Sequence, residues 1–402
     1  MANYYVSPTG NNANPGTIDS PKADFSFFNS VTPKAGDTVF LRGGTYIGKH
    51  ITLNSSGVAG NPITLRNYPG ELPVLNGNDQ ASGSVCIFGS GQNYWNIIGL
   101  EIYNYYQGII PRNNCSNIHI DSCKIHDISA NAAVWFLDCT YSSLKNSLIY
   151  NNGWNHIAIQ INYGPAHHID IINNDIYGGI GSGHNLIDLN HNHGSGVSLS
   201  YFINNVNIIG NKLHDTIGGN SAIWIHGSTG AAMVPHLDYI TVQDNIIDKV
   251  NRLSLDGLRY STVKNNKITN TVNGIYCVTV NWPQVSTTYS KNCVSNVGNG
   301  RAYTIDVSGS TFTIDGVSYN NSAYIQAPTT GCTTPSGIII SGLTASNRIG
   351  SPGTIDLTWT QSVPGSVSFT IDGINAGSII GVAGLNSASL TSTEGLHEFC
   401  IN

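Results

Sequence analysis

The sequence predicts an all-β protein: a solenoid of short strands followed by a small β-sandwich. Three observations predict it. Aliphatic and polar residues alternate along most of the chain. An Asn recurs at one turn with a spacing of roughly 20–40 residues, inside the range of solenoid repeats. After about Cys332 the repeat gives way to short strands punctuated by Gly and Ser.

The repeat shows in "HIDIINNDIYGG", "NVNIIGNKLHDT", "DYITVQDNIIDK" and "YSTVKNNKITNT". Alternation marks strands with one face inward. Aligned on it, one turn column reads Cys123, Asn146, Asn174, Asn211, Asn245, Asn266 and Asn292. Such a column predicts a ladder of amides, each bonded to the next rung. No helical period separates the strands.

The N-terminal "YYVSPTGNNANPGTIDSP", followed by "AGDTVFLRGGTY" and "NPITLRNYPGELPVLNG", resembles the entry segment of the pectate-lyase-like superfamily. The resemblance spans roughly residues 3–300. It implies a right-handed parallel β-helix and activity on polysaccharides. It does not choose the reaction, because one scaffold hosts many chemistries. "DFSFFNSV" reads as a short helix capping the open end, where bare strand edges would invite aggregation.

The expected domains are 1–332, with a capping segment over about 1–60, and 333–402. In the second, "SGIIISGLTAS", "GTIDLTWTQS" and "GSVSFTIDGI" have the pattern of an immunoglobulin-like or fibronectin-like sandwich. Cys332 and Cys400 flank it, as a bridge or as two thiols. It shows no aromatic platform, so a structural role is expected.

Only 10% of the 402 residues are charged, against about 25% in an average soluble protein. The net charge is −6 and there are 17 Lys plus Arg. No basic patch suggests nucleic acid, and no apolar run approaches the roughly 20 residues of a membrane span. The opening "MANYYVSPTG" carries no signal peptide, and "ANYYVSP" suits the position just after a cleavage site. Low charge and scarce lysine suit an exported protein, expected to act as a monomer on a polysaccharide substrate. The eight cysteines lack the spacing of a zinc site.

The Asn column measures the coils as 23, 28, 37, 34, 21 and 26 residues. Two adjacent coils are long. "HNHGSGVSLSYFINN" follows "NLIDLN", and "STGAAMVPH" follows "SAIWIHG". Long loops on a compact solenoid are usually functional. These two should form one wall of a groove whose floor is the strand they follow.

That strand aligns by the inward pairs Val134/Phe136, Ile159/Ile161, Ile187/Leu189, Ile223/Ile225 and Leu253/Leu255. The outward column between them reads Trp135, Gln160, Asp188, Trp224 and Ser254. The next reads Arg112, Leu137, Asn162, Asn190, His226 and Asp256. Tryptophans among amides and carboxylates suit sugar rings, which stack on aromatic faces while hydroxyls find polar partners.

Two chemistries compete. Asp188 and Asp256, with His226 between them, read as the acid and base of a glycoside hydrolase, and the residues lean this way. An inverting pair stands roughly 6.5–9.5 Å apart. The alternative is β-elimination on a uronate polymer, which needs a base and a cation for the carboxylate. No Lys falls in either column. Arg112, Arg259, Tyr276 and His226 would serve, with calcium on Asp188 and Asp256. No cofactor is otherwise called for. Trp135, Gln160, Asn162, Asn190, His191, His193 and Trp224 are expected to contact substrate. His184, His191 and His193 resemble a metal cluster, but sugar hydrogen bonding suits them better. A non-catalytic adhesin or phage tail protein would instead show regular coils and no groove.

Overall fold

The computed structural model describes residues 1–326 except 27–31, 79–82, 154, 161–163, 180–184, 192–201, 217–219, 228–236 and 278–282. Beyond these it describes the backbone of six strands within 340–401. The chain divides into two compact units, Met1–Cys332 and Thr333–Asn402.

The first unit is a parallel β-helix with three faces. One coil shows the pattern. Ala132–Leu137 lies on the first face, Thr140–Lys145 on the second and Leu148–Tyr150 on the third. Each strand pairs in parallel with its counterparts one coil away: Ala132–Leu137 with Asn155–Gln160, Thr140–Lys145 with Ala166–Ile172, Leu148–Tyr150 with Asp175–Tyr177. The entry segment supplies Asn3–Val6, which pairs with Thr38–Leu41. At the far end, Arg301–Ile314 turns back as an antiparallel hairpin with Val317–Gln326.

Alternation fills the core. On the first face Val134, Ile157, Ile187, Ile223, Leu253 and Ile275 stack in one inward column. Phe136, Ile159, Leu189, Ile225 and Leu255 form the next, and all eleven are fully buried. Burial of an aliphatic side chain is worth ~1.5–3 kcal/mol, so repeated columns hold the coils in register.

The amide ladder is present from Asn174 onward. The Nδ2 of Asn174, Asn211, Asn245 and Asn266 each donates to the Oδ1 of the next Asn, at 2.9–3.1 Å, ending on Asn292. Each Oδ1 also accepts the backbone N–H of the preceding rung. One expected member is displaced by a residue. Ser147, not Asn146, accepts from the Cys123 N–H and donates its own N–H to Asn174. Asn146 occupies the turn before it at φ 52°, a left-handed conformation that Asn tolerates better than most residues. On the third face Tyr103, His126, Tyr150, Tyr177 and His214 stack ring on ring, with centroids 4.7–5.1 Å apart.

Of the expected capping helix, residues 25–26 form a 3₁₀ turn and 27–31 lie outside the described residues. In the second unit Thr354–Gln361 pairs antiparallel with Ile340–Asn347 and Gly384–Thr391. Gly365–Ile371 pairs antiparallel with Ile374–Gly381 and Phe399–Ile401. The bridge considered between Cys332 and Cys400 lies outside the described side chains. Cys293 is disulfide-bonded, while Cys86, Cys115, Cys123, Cys139 and Cys277 are free and buried.

Candidate active site on the first face

The outward columns of the first face follow from its register. Trp135 pairs with Ala158, then Asp188, Trp224, Ser254 and Tyr276. Arg112 pairs with Leu137, then Gln160, Asn190 and His226. Asp256 follows Leu255 and donates its N–H to the Ile225 carbonyl, which places it beside His226.

This corrects the sequence alignment at one rung. "HIAIQI" offers three alternating isoleucines, and the inward pair is Ile157 and Ile159, both fully buried. Gln160 therefore moves from the Trp column to the Asn190 column. Asn162 and His193 lie outside the described residues, as do both long loops at 192–201 and 228–236. His191 ends the strand Ile187–His191, and its side chain lies outside the described ones. His184 is outside them too, so the histidine cluster is not described.

Asp188 and His226 meet across neighbouring rungs. His226 Nε2 stands 3.6 Å from Asp188 Oδ1, and Asn185 Nδ2 donates to Asp188 Oδ2 at 3.0 Å. Both residues are nearly enclosed, at 4% and 9% exposure. The Trp224 ring stacks on His226 with centroids 3.8 Å apart.

Asp256 lies beside His226, as the column order predicts. It is 1% exposed and accepts from the Ser254 hydroxyl at 3.3 Å. Burial first, and then the charge of Asp256, push the neighbouring Cys277 thiol well up. The carboxylate thus sits at the corner of the coil, beside a core thiol. Asp188 and Asp256 are both enclosed, and Asp256 is held by Ser254 of the outward column.

Arg259 is also corrected. Gly257, at φ 68°, turns the chain after Asp256. Arg259 therefore begins the second face, where its Nε lies 3.1 Å from Asp238 Oδ1. Arg112 stays on the first face, exposed, with its guanidinium 4.6 Å from the Phe88 ring.

The cation that sequence reasoning missed is Arg252. It opens the strand Arg252–Leu255 and shares the outward parity of Ser254. Its guanidinium lies 4.9 Å from the Tyr276 ring. Extending the alternation "RLSLD" one step backwards would have found it. Arg252 Nε, Trp135 Nε1, Trp224 Nε1 and Asn190 Oδ1 are buried without a hydrogen-bond partner among the described residues. Such atoms are rare in folded proteins and call for an explanation. Here they share one face, around Asp188 and His226.

The described residues by themselves do not supply the ligands of a calcium ion, which takes roughly six to eight oxygens. Asp188 has one oxygen on Asn185 and the other towards His226. Among the described residues no three His, Cys, Asp or Glu side chains converge.

Residues 4–169 match the family model described as the Pel9A-like right-handed β-helix region. A pectate lyase, PEL9 of Emericella nidulans, is 32% identical over 133 residues, covering 30% of this chain and 32% of that protein. The uncharacterized protein YwoF of Bacillus subtilis is 42% identical over 80 residues, covering 19% of this chain and 16% of that protein. The chain's matches thus span a third or less of either relative. In fold, it resembles the complex of XylC with xylose at a TM-score of 0.55 and 11% identity, over 99% of this chain and 100% of that one. The Pel9A-like match covers the entry coils and the first-face strand carrying Trp135. It ends before Asp188, Trp224, His226 and Arg252.

Proposed function

We propose that the protein is a secreted polysaccharide lyase that cleaves a uronate-containing polymer by β-elimination on the first face. The observation that carries this reading is Arg252, a guanidinium on the first face with no ion pair among the described residues. Guanidinium binds a carboxylate through two parallel hydrogen bonds. The similarity of the entry coils to a pectate lyase supports the same class.

In this reading His226 takes the proton alpha to the uronate carboxylate. The electron pair of that C–H bond forms a carbon–carbon double bond. The β carbon–oxygen bond breaks, and the leaving oxygen takes a proton from water. Asp188 stabilises the imidazolium formed, while Arg252 holds the carboxylate and stabilises the charge that develops on it. Trp224, Trp135 and Tyr276 carry the sugar rings.

The proposed organisation is a catalytic β-helix over 1–332 and an immunoglobulin-like or fibronectin-like spacer over 333–402, acting as a monomer. Among the described residues no helix is long and apolar enough to cross a membrane. The test is a panel of polygalacturonate, alginate and neutral polysaccharides. Ultraviolet absorbance from an unsaturated uronate, rising with reducing ends, is expected on a uronate polymer. Reducing ends without that absorbance would return the carboxylate-pair hydrolysis. Neither signal would favour a binding protein.

A further inference from the structure

The second face carries a feature with no part in the reading above. Eight consecutive rungs place a non-glycine residue in the left-handed region at the same register position. They are Tyr94, Asn117, Tyr141, His168, Asn205, Tyr239, Tyr260 and Ser286, with φ of 49–59°. Their neighbours, Asn93 through Val285, pair rung to rung, so the eight form one column.

A left-handed turn suits Asn, and a bulky aromatic there is unusual. Two of these rungs use Asn, yet three within the described column carry tyrosines that stand out into solvent. Tyr141, Tyr239 and Tyr260 are 50%, 55% and 46% exposed. Tyr141 stacks on His168 at 4.6 Å between centroids, and Tyr239 on Tyr260 at 5.6 Å. Between these two stacked pairs lies an open cavity of about 620 Å³.

The floor of this cavity is polar and charge-balanced. Among its described lining residues there is one Lys and one carboxylate, Lys145 and Asp170, 3.4 Å apart. Asn207 Nδ2 donates to the same Asp170 at 3.0 Å. His119 shares a 2.9 Å hydrogen bond with Ser143. Thr241 and Thr262 complete a floor of hydroxyl and amide groups. Rungs repeat every ~4.8 Å, comparable to the length of one pyranose residue in an extended chain. Flat rings along a rim, hydrogen-bonding groups on a floor and no surplus charge match a sugar polymer read by its rings and hydroxyls.

We infer that the second face is a polysaccharide-binding site, separate from the first-face site, that takes an extended run of uncharged sugar residues across the Tyr141/His168 and Tyr239/Tyr260 pairs. The inference stands apart from the lyase reading, since it uses none of the same side chains. In a polymer mixing uronate and neutral stretches, the two faces would hold different segments of one molecule.

The test is affinity electrophoresis of the full chain in native gels containing galactan, xylan, glucomannan, polygalacturonate or alginate. The triple variant Tyr141→Asn, Tyr239→Asn, Tyr260→Asn removes the rings and installs the residue the same column already tolerates at Asn117 and Asn205. Circular dichroism and melting confirm that it folds. At least one neutral polymer should retard the parent chain equally at low and high salt. The triple variant should bind it at least tenfold more weakly, while Arg252→Gln should bind as the parent does. Cleavage of short uronate oligosaccharides should be unchanged in the triple variant if the parent cleaves them. The inference is overturned by no retardation on any neutral polymer, by equal retardation of the triple variant, or by retardation that salt or Arg252→Gln abolishes. A parent that is retarded but cleaves nothing sinks the lyase reading and leaves this one standing.

Discussion

His226 Nε2 faces Asp188 Oδ1 at 3.6 Å across two neighbouring rungs of the first face. The ring is clamped between that carboxylate and the Trp224 indole. If this pair moves the proton, His226→Gln should lower the rate about 10²–10⁴-fold, the usual worth of a positioned base. Asp188→Asn should lower it as well, with KM less affected. Initial rates of unsaturated-product formation measure both. Wild-type rates in either variant would remove that residue from the reaction.

Arg252 is assigned to the substrate carboxylate. Losing a charged hydrogen-bonding partner costs ~1.5–3 kcal/mol, or roughly tenfold to hundredfold in binding. Arg252→Gln should therefore raise KM on a uronate polymer by about that factor. Arg252→Lys should recover only part, because an ammonium lacks the planar fork. An unchanged KM in Arg252→Gln would exclude the assignment.

Asn211 makes the full set of ladder bonds, as Asn245 and Asn266 do. Its Oδ1 accepts from the Asn174 backbone and side chain, and its Nδ2 donates to Asn245 and to the Ile171 carbonyl. Asn211→Ala strands several buried groups at ~1–3 kcal/mol each. Asp is nearly isosteric but cannot supply the Nδ2 donor, so it should not rescue. Urea unfolding should show a clear loss of stability in both variants. Asn146→Ala, one residue off the ladder at its first rungs, should cost less.

Stability should fall on mild acidification. Burial first, and then the charge of Lys145, hold the His119 ring below its ordinary value of 6.5, against the opposing pull of Asp170. Unfolded chain therefore binds a proton that folded chain refuses. Stability contributed by this group is complete above pH 6.5 and declines as the pH falls towards the depressed folded value. His167 is depressed too, by burial and then by His168, and adds in the same direction. Melting temperature against pH should show the decline, and His119→Gln should flatten part of it. An identical profile in His119→Gln would exclude the contribution.

Much of the architecture was legible because its causes are local. A strand shows its inward face through alternation, so the solenoid, its core columns and most of the Asn ladder can be read from residue order. Asp188, Trp224, His226 and Asn190 were found on the first face by the same periodicity. The errors fell where alternation is ambiguous or stops. "HIAIQI" offers three alternating aliphatics, and only the register shows that Ile157 stacks on Val134 and Ile187 and Ile159 on Phe136 and Leu189. Asn146 and Ser147 differ by one residue at a turn, where period carries no information. Arg252 was missed because the alignment began at Leu253.

What residue order alone determined is the repeat: which side chains face in, where the amides stack, and which coils are long. What only the tertiary structure decided lies at the corners and between rungs. The turn at Gly257 sends Arg259 to another face, to pair with Asp238. Packing encloses Asp256 beside Cys277 and Ser254. Residues a full coil apart in sequence, such as Tyr239 and Tyr260, become stacked neighbours because parallel coils repeat the same turn a few ångströms apart. Periodicity describes a strand, but the direction of a side chain at a turn depends on backbone torsions and on what the adjacent coils leave open.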